Sequence, residues 1–473
     1  MRTRASTVDV IVIGAGIAGL TAARRIRASG RSVLVLEARD RVGGRLENHE
    51  LADGHIVEMG GTWMGTKQDH LARLAKDLGV ETFETHASGD ALFHRRGRNL
   101  RYDSSGLLQM FRHDKIGYVE YGLALLRLQR LANKIDIQAP WASPNASQLD
   151  RVTVAQWGRG LRTECARMML DVTVRAILAV DPRELSLLWF LHYIRSAGND
   201  GQGIEQTTRV TRDLRYRFVG GSQRLCQVMA SELADDLRLE SPVQRVRQLG
   251  SAVEVISNGT AYRARKLIAT MPPALLSRIA WEPVLPDSWA TLAERAPQGI
   301  VTKVHAVYDR PFWRADGLSG EVVSDSGPIE VTFDYSPPGG SPGVLVGFIA
   351  GDAARSWGRL SAQERRASAI DCLRRYFGDR AAEPLEYGEK QWADDPWALG
   401  GYGTVLPPGV VTHLAGLDRR WGNILFAGAD MTPLWSGHME GAVRSAEEAA
   451  NVAVTEIALE IPAPTRESLS EPA

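Results

Sequence analysis

A run of glycines near the N-terminus constrains this chain more than any other feature. Gly14-x-Gly16-x-x-Gly19 follows an apolar, β-branched run over residues 8 to 13. It opens a helical pattern over 17 to 29, which Gly30 stops. A second buried-strand pattern over 32 to 37 completes a strand–helix–strand unit. In that context Gly14 permits a tight turn, Gly16 lets backbone approach a pyrophosphate, and Gly19 lets the helix pack on the strand. Ile17 and Ala18 start the helix, whose free N–H groups favour phosphate. Glu37 ends the second strand 18 residues after Gly19. A carboxylate there can hold adenosine ribose hydroxyls and disfavours a 2′-phosphate. On the motif alone, NAD and FAD are equally open, with an empty, vestigial site as the remaining alternative.

The rest of the chain reads as alternating blocks. Helical periodicity runs over 107 to 135 and 161 to 197, with a further helix over 222 to 237. Short strand patterns follow, then alternating segments at 301 to 310, 329 to 334 and 344 to 350. A helix over 361 to 377, a buried strand over 424 to 427 and a helix over 437 to 457 close the order. The Pro/Ser-rich residues 458–473 are expected to be disordered. The 473 residues carry 56 basic and 56 acidic side chains, so the net charge is zero. That balance argues against nucleic acid or an anionic membrane as the main partner, since either needs a basic excess or stripe. Three widely spaced cysteines fit no metal or CxxC pattern, so no metal site is expected, and such an odd, sparse set is what a reducing compartment allows. With no apolar run near membrane-spanning length and no cleavage pattern, a soluble, cytoplasmic protein is expected. Of the 56 basic residues only seven are Lys, so a Lys at a meaningful place is less often there by chance.

Two further segments narrow the choice of cofactor. Glu37-Ala38-Arg39-Asp-Arg-Val-Gly43-Gly44-Arg45 places a glycine pair between arginines, allowing close approach to an extended ligand near its pyrophosphate. Glu58-Met59-Gly60-Gly61-Thr62-Trp63 offers a second close approach. With Phe426-Ala-Gly428-Ala-Asp430 and Trp435-Ser-Gly-His438-Met439-Glu-Gly-Ala442, the chain resembles the FAD-dependent amine oxidase family, nearly throughout and up to about residue 455. The resemblance implies an α/β fold: a Rossmann-like FAD-binding domain of the monoamine oxidase type, built from separated segments, with an inserted α+β substrate domain. The boundaries it suggests are 1–85, 216–296 and 393–457 for the first and 86–215 and 297–392 for the second. It places Val243 against the cofactor, Asp430 facing the ribityl chain, and the helix from Met439 to Ala442 toward the flavin pyrimidine ring. A helix N-terminus there stabilises negative charge on reduced flavin.

The resemblance also assigns site residues. Lys303 matches the family lysine that reaches flavin N5 through a water, where a compact ammonium with a tunable pKa assists oxygen activation or imine hydrolysis. Trp392 matches the tryptophan beside the flavin, and Trp397 fits the same segment. Tyr402 matches the first tyrosine of the aromatic cage. His438 stands where the second tyrosine is usual; its imidazole forms one wall, hydrogen-bonds and titrates near neutrality. Mammalian monoamine oxidases carry a flavin-bonding Cys beside the first cage Tyr; Gly401 stands there, so FAD is expected to be non-covalent. Ile177 and the segment 187–195 are placed in cavity-lining helices. In the strand 329–334, Val331 and Phe333 share one face, and Glu330, Thr332 and Asp334 the other. A solvated second face is the expectation; turned inward, Glu330 could bind the distal cation of a diamine.

The function implied is oxidation of an uncharged amine by hydride transfer to flavin N5. The imine hydrolyses to an aldehyde or ketone, and O2 is reduced to H2O2. The partners are then a small amine and O2, and a homodimer is one arrangement open to the chain. An L-amino-acid oxidase or a tailoring dehydrogenase or desaturase on the same scaffold is the first alternative. A non-catalytic protein of the Rab escort or dissociation-inhibitor type is the second; retention of Lys303, Gly428, Asp430 and Met439–Ala442 argues against it.

Overall fold

The computed structural model describes residues 7–103, 114–197, 203 and 214–459. The glycine-rich turn lies at the end of Thr7–Ile13, a central strand of a nine-stranded sheet. That strand pairs in parallel with Val33–Leu36 on one side and Thr260–Ala269 on the other. Thr260–Ala269 also pairs in parallel with Ile424–Phe426, so the two ends of the chain meet in one sheet. Val10 and Val12 face one core, which contains residues of helices Ile17–Ala28 and Met439–Leu459; Ile11 and Ile13 face another. The two helices touch each other. Both bury alanines, among them Ala18, Ala22, Ala446 and Ala450, which lets their axes approach closely.

A seven-stranded sheet forms the second layer, in the order Glu386–Gln391, Val301–Tyr308, Gly343–Ala350, Val331–Asp334, Leu318–Ser324, Asp90–Arg95, Arg98–Asp103. The segment that alternates over 301 to 310 forms the strand Val301–Tyr308, and all eight of its residues are buried. Val304, Ala306 and Tyr308 enter one core, and Val301 and Val307 another, so both faces are covered. Lys303 and His305 are therefore buried polar residues on the second of these faces.

Several expected elements are shorter or broken. The long helix over 161 to 197 is two helices, Glu164–Leu178 and Leu187–Ser196. Ala179 stops the first with φ +53°, and Pro182 follows. The helix over 222 to 237 is α-helical only over Gln223–Glu232 before a 3-10 turn. Lys115–Ala132 carries the helix expected over 107 to 135; its residues 107–113 lie outside the described residues, as do 460–473 of the expected tail. The wet face expected for 329 to 334 is not wet. Thr332 and Asp334 are buried, Asp334 receiving Trp313 Nε1 at 2.8 Å and Arg314 at 2.7 and 2.9 Å. Glu330, just before Val331–Asp334, accepts two bonds from Arg175 at 2.7 and 2.8 Å.

Candidate active site

One cavity runs from the glycine turn to the second sheet and holds about 1450 Å³ of empty space, open solvent at its mouths included. Gly14, Gly16, Ile17, Ala18, Glu37, Ala38, Arg39, Gly43, Gly44, Arg45, Met59, Gly60, Gly61, Val243, Gly428, His438, Met439 and Ala442 line it, together with Lys303, Trp392, Trp397, Gly401 and Tyr402. The local fold explains the glycines at one end. Gly14 has φ +101°, a conformation costly for any other residue. A Cβ on Gly19 would lie 1.8 Å from the Gly14 carbonyl oxygen, so Gly19 lets the helix start against the turn. Glu37 lines this end and braces the turn as well, accepting from Ala15 N at 2.6 Å and Arg39 N at 3.0 Å.

Besides Gly19, six expected site residues are not part of the lining. Asp430 accepts from Thr404 N at 2.6 Å and pairs with Arg45 at 2.5 Å; Arg45 also donates to the Tyr402 carbonyl at 2.8 Å. Thr62 bonds Lys303. Trp63 meets Phe333 edge-on, with ring centroids 5.5 Å apart. Phe333 therefore supports Trp63, while Val331 is buried in its strand and Ile177 packs at the edge of the main core. Glu440, beside Met439, caps helix Asp69–Asp77 by accepting from His70 N and Leu71 N at 3.2 and 2.7 Å.

The ring-lined end is built by Tyr402, His438 and Phe348, with Tyr402 and Phe348 edge-to-face at 6.2 Å. His438 Nδ1 lies 2.9 Å from the Ser436 carbonyl oxygen. A carbonyl only accepts, so Nδ1 carries the proton. Tyr193 stacks on the imidazole at 5.7 Å, and Trp435 meets it edge-on at 5.4 Å. Trp392 is fixed by donating Nε1 to the Met59 carbonyl at 2.8 Å. Burial pushes the Tyr402 hydroxyl well above the usual phenol range, so it stays protonated.

Lys303 is 2 % exposed, and Nζ lies 3.0 Å from the Gly60 carbonyl, 2.8 Å from Thr62 Oγ1 and 3.1 Å from the Tyr335 hydroxyl. Burial lowers its pKa to about 7, partly opposed by Glu58 and assisted by Arg217. The hydroxyl of Tyr335 also lies 2.5 Å from Thr62 Oγ1. This geometry accommodates both charge states. The ammonium donates to all three oxygens, and the neutral amine can accept from the Tyr335 hydroxyl, which burial keeps protonated.

Tyr335 and Arg217, which the sequence did not single out, form a group with Glu58 from the start of the second glycine segment. Arg217 stacks 3.6 Å over the Tyr335 ring, donates to the Tyr335 carbonyl at 2.8 Å and pairs with Glu58 at 3.1 Å, with both partners of the pair buried. Trp63 Nε1, Glu58 Oε1 and both ring nitrogens of His305 are buried here without a protein partner. Orphaned polar atoms gathered beside a cavity fit a place that takes water or ligand atoms.

Two glycine-lined backbone approaches and a bracing carboxylate at one end, and rings with a buried lysine at the other, share one cavity. The chain belongs to the flavin containing amine oxidoreductase family, whose match spans residues 17–454. It is 34% identical to the flavin-containing amine oxidase B of Sus scrofa over 451 residues, covering 94% of this chain and 86% of the relative. Among solved structures it is similar to cyclohexylamine oxidase from Brevibacterium oxydans IH-35A, at 35% identity and a TM-score of 0.90. It is also similar to a wild-type putrescine oxidase bound to putrescine, at 32% identity and a TM-score of 0.90. Each comparison covers 95% of this chain and 99% of the other. The protein is thus a flavin-containing oxidoreductase acting on amines. Among the described residues, no helix is long and apolar enough to cross a membrane, and no cluster of three or more His, Cys, Asp or Glu could hold a metal.

Proposed function

We propose that the chain binds FAD non-covalently and oxidises an apolar monoamine at its C–N bond, with O2 as the acceptor. The lining of the ring end carries this reading. Glu37 is the one carboxylate among the described residues that line the cavity, and it lies with the glycine turn, away from the rings. The arginines in the lining are engaged: Arg39 with Asp395 at 2.6 Å, Arg45 with Asp430, and Arg278 with the Pro396 carbonyl. A diamine would want a carboxylate for its distal cation, and an amino acid would want a free guanidinium. Among the described residues neither is offered beside the rings.

The residues fit the cofactor. The turn at Gly14 and Gly16 and the start of the Ile17 helix suit its pyrophosphate, and Glu37 suits the adenosine ribose. Trp392, Lys303 and the helix beginning at Met439 suit the flavin end. Bound there, FAD supplies the two-electron acceptor that converts the amine to an imine, which hydrolyses to a carbonyl compound while O2 becomes H2O2. The protein's own part is positioning and proton handling. Tyr402, His438 and Phe348 exclude water and orient an uncharged amine. Lys303 Nζ holds or releases a proton beside them, and Tyr335 and Thr62 accept either state.

A peroxide assay with an amine panel tests the reading. Cyclohexylamine or benzylamine should turn over faster than putrescine or any amino acid; the reverse order would overturn the apolar-monoamine assignment. Acid or heat precipitation should release the yellow cofactor into the supernatant with the mass of FAD, whereas flavin retained in the pellet would mean a covalent bond. Glu330 is held by Arg175, so Glu330→Gln is expected to change the preference between hexylamine and 1,6-diaminohexane by less than about threefold. Specific loss of diamine turnover in that variant would restore Glu330 as a substrate anchor.

A further inference from the structure

One helix carries an apolar row into water. Lys115–Ala132 turns Tyr118, Tyr121, Ala124 and Leu128 into the core. Its other side exposes Ile116, Val119, Leu123 and Leu126 at 75%, 52%, 49% and 55%. Their spacing of three, four and three residues aligns them in a row about 15 Å long. Beyond the row come cations. Arg127, Arg130 and Lys134 line a groove together with Leu131, Trp157 and Leu161. All three cations are exposed, and among the described residues none has a carboxylate partner. The one acid of the helix, Glu120, is occupied by Arg162 N, Thr163 N and the Thr163 hydroxyl, each at 2.7 Å.

An apolar row followed by unpaired cations and an indole is the composition of a surface that lies on anionic lipid. A second copy docked through the same row would bring like charges together with no carboxylate to receive them. Lipid phosphates would receive them, and lipid chains would take the row. We propose that this face docks on an anionic bilayer, with Ile116 to Leu126 entering the headgroup boundary and Arg127, Arg130 and Lys134 contacting phosphates. The neutral total charge does not oppose this. At physiological salt, charges beyond about 8 Å are screened, so the local cations govern the contact. The expectation of no membrane partner was drawn from total charge, and a local stripe escapes that argument.

Flotation of the full chain with vesicles tests the proposal. The protein should float with vesicles of phosphatidylcholine mixed with phosphatidylglycerol, float far less with phosphatidylcholine alone, and be released by high salt. Each cation at such a surface is worth about fivefold in partitioning, so Arg127→Glu with Arg130→Glu should lower binding by more than about tenfold. Leu123→Ser with Leu126→Ser should lose binding even at low salt. All four positions are exposed and outside the cavity, so amine turnover and thermal unfolding should match the parent. No flotation with phosphatidylglycerol vesicles, or flotation unchanged in both variants, would overturn the proposal. So would light scattering in which the serine variant turns a dimer into a monomer while vesicle binding stays the same; the row would then be a contact between copies.

Discussion

Lys303→Met is expected to lower turnover of the best amine by about 10²–10⁴-fold, the range for loss of a positioned proton-transfer group. It should also erase an inflection of turnover near neutral pH. Burial holds the Lys303 amine at a pKa of about 7, so in the parent it is charged below that value and neutral above it. Met has no such switch, and Lys303→Arg stays cationic throughout, so neither variant should restore the inflection. Stability separates this outcome from misfolding. The folded pKa lies below that of an unfolded lysine, so Lys303 adds stability as pH rises from about 7 to the ordinary lysine range. Below pH 7 both states carry the proton and the burial penalty is at its full size. Met carries no such penalty, and the variant should unfold no earlier than the parent at neutral pH. A Met variant within about threefold of parental turnover, with the inflection intact, would remove Lys303 from the proton chemistry.

Arg217→Met should have the largest effect on stability. It leaves Glu58 buried without its cation, a loss of about 3–5 kcal/mol for a broken buried pair. The variant should also move the neutral-pH inflection of turnover upward. Arg217 lowers the Lys303 pKa and Glu58 raises it, so removing the arginine favours the ammonium on both counts. Glu58→Gln removes the opposing charge and should move the inflection downward. Chemical denaturation and pH–rate profiles of the two variants read these effects separately. Shifts in the same direction in both would mean that the pair acts on Lys303 only through packing.

How far the sequence revealed this site depended on how local each signal was. The glycine turn was legible because its residues act on one another over a few positions: Gly19 packs on the Gly14 carbonyl, and Glu37 braces Ala15. The strand–helix–strand unit and the closing helix were legible from period and apolar content, and the Lys303, Trp392, Tyr402 and His438 segments from family resemblance. The Tyr335–Arg217–Glu58 group was not legible. Its three members lie on separate segments of the chain, and no spacing rule joins them. Arg217 gave one usable signal, a charge within Tyr-Arg-Phe, a buried strand pattern before a glycine pair. In a chain where 49 of the 56 basic residues are arginine, that signal was easily lost. The wet face expected for 329 to 334 failed for a related reason, and the alternation at 301 to 310 did not reveal that this strand is buried on both sides. Alternation shows which residues share a face, but only the assembled second sheet shows that both faces of these strands are covered.

The order in which the chain visits its two sheets bears on its synthesis. The nine-stranded sheet takes strands from residues 7–36, 237–282 and 420–426, and the seven-stranded sheet takes 90–103 and 301–391, so the chain passes between them four times. The first helix packs on the last one, Met439–Leu459. An emerging chain therefore carries its glycine turn and the apolar side of its first helix for most of translation before their partners exist. Contacts this distant in sequence are slow to close and expose apolar surface meanwhile. Fragments ending before residue 439 lack the partner of the first helix, and expression of the glycine-turn unit alone should yield aggregate rather than a cofactor-binding domain.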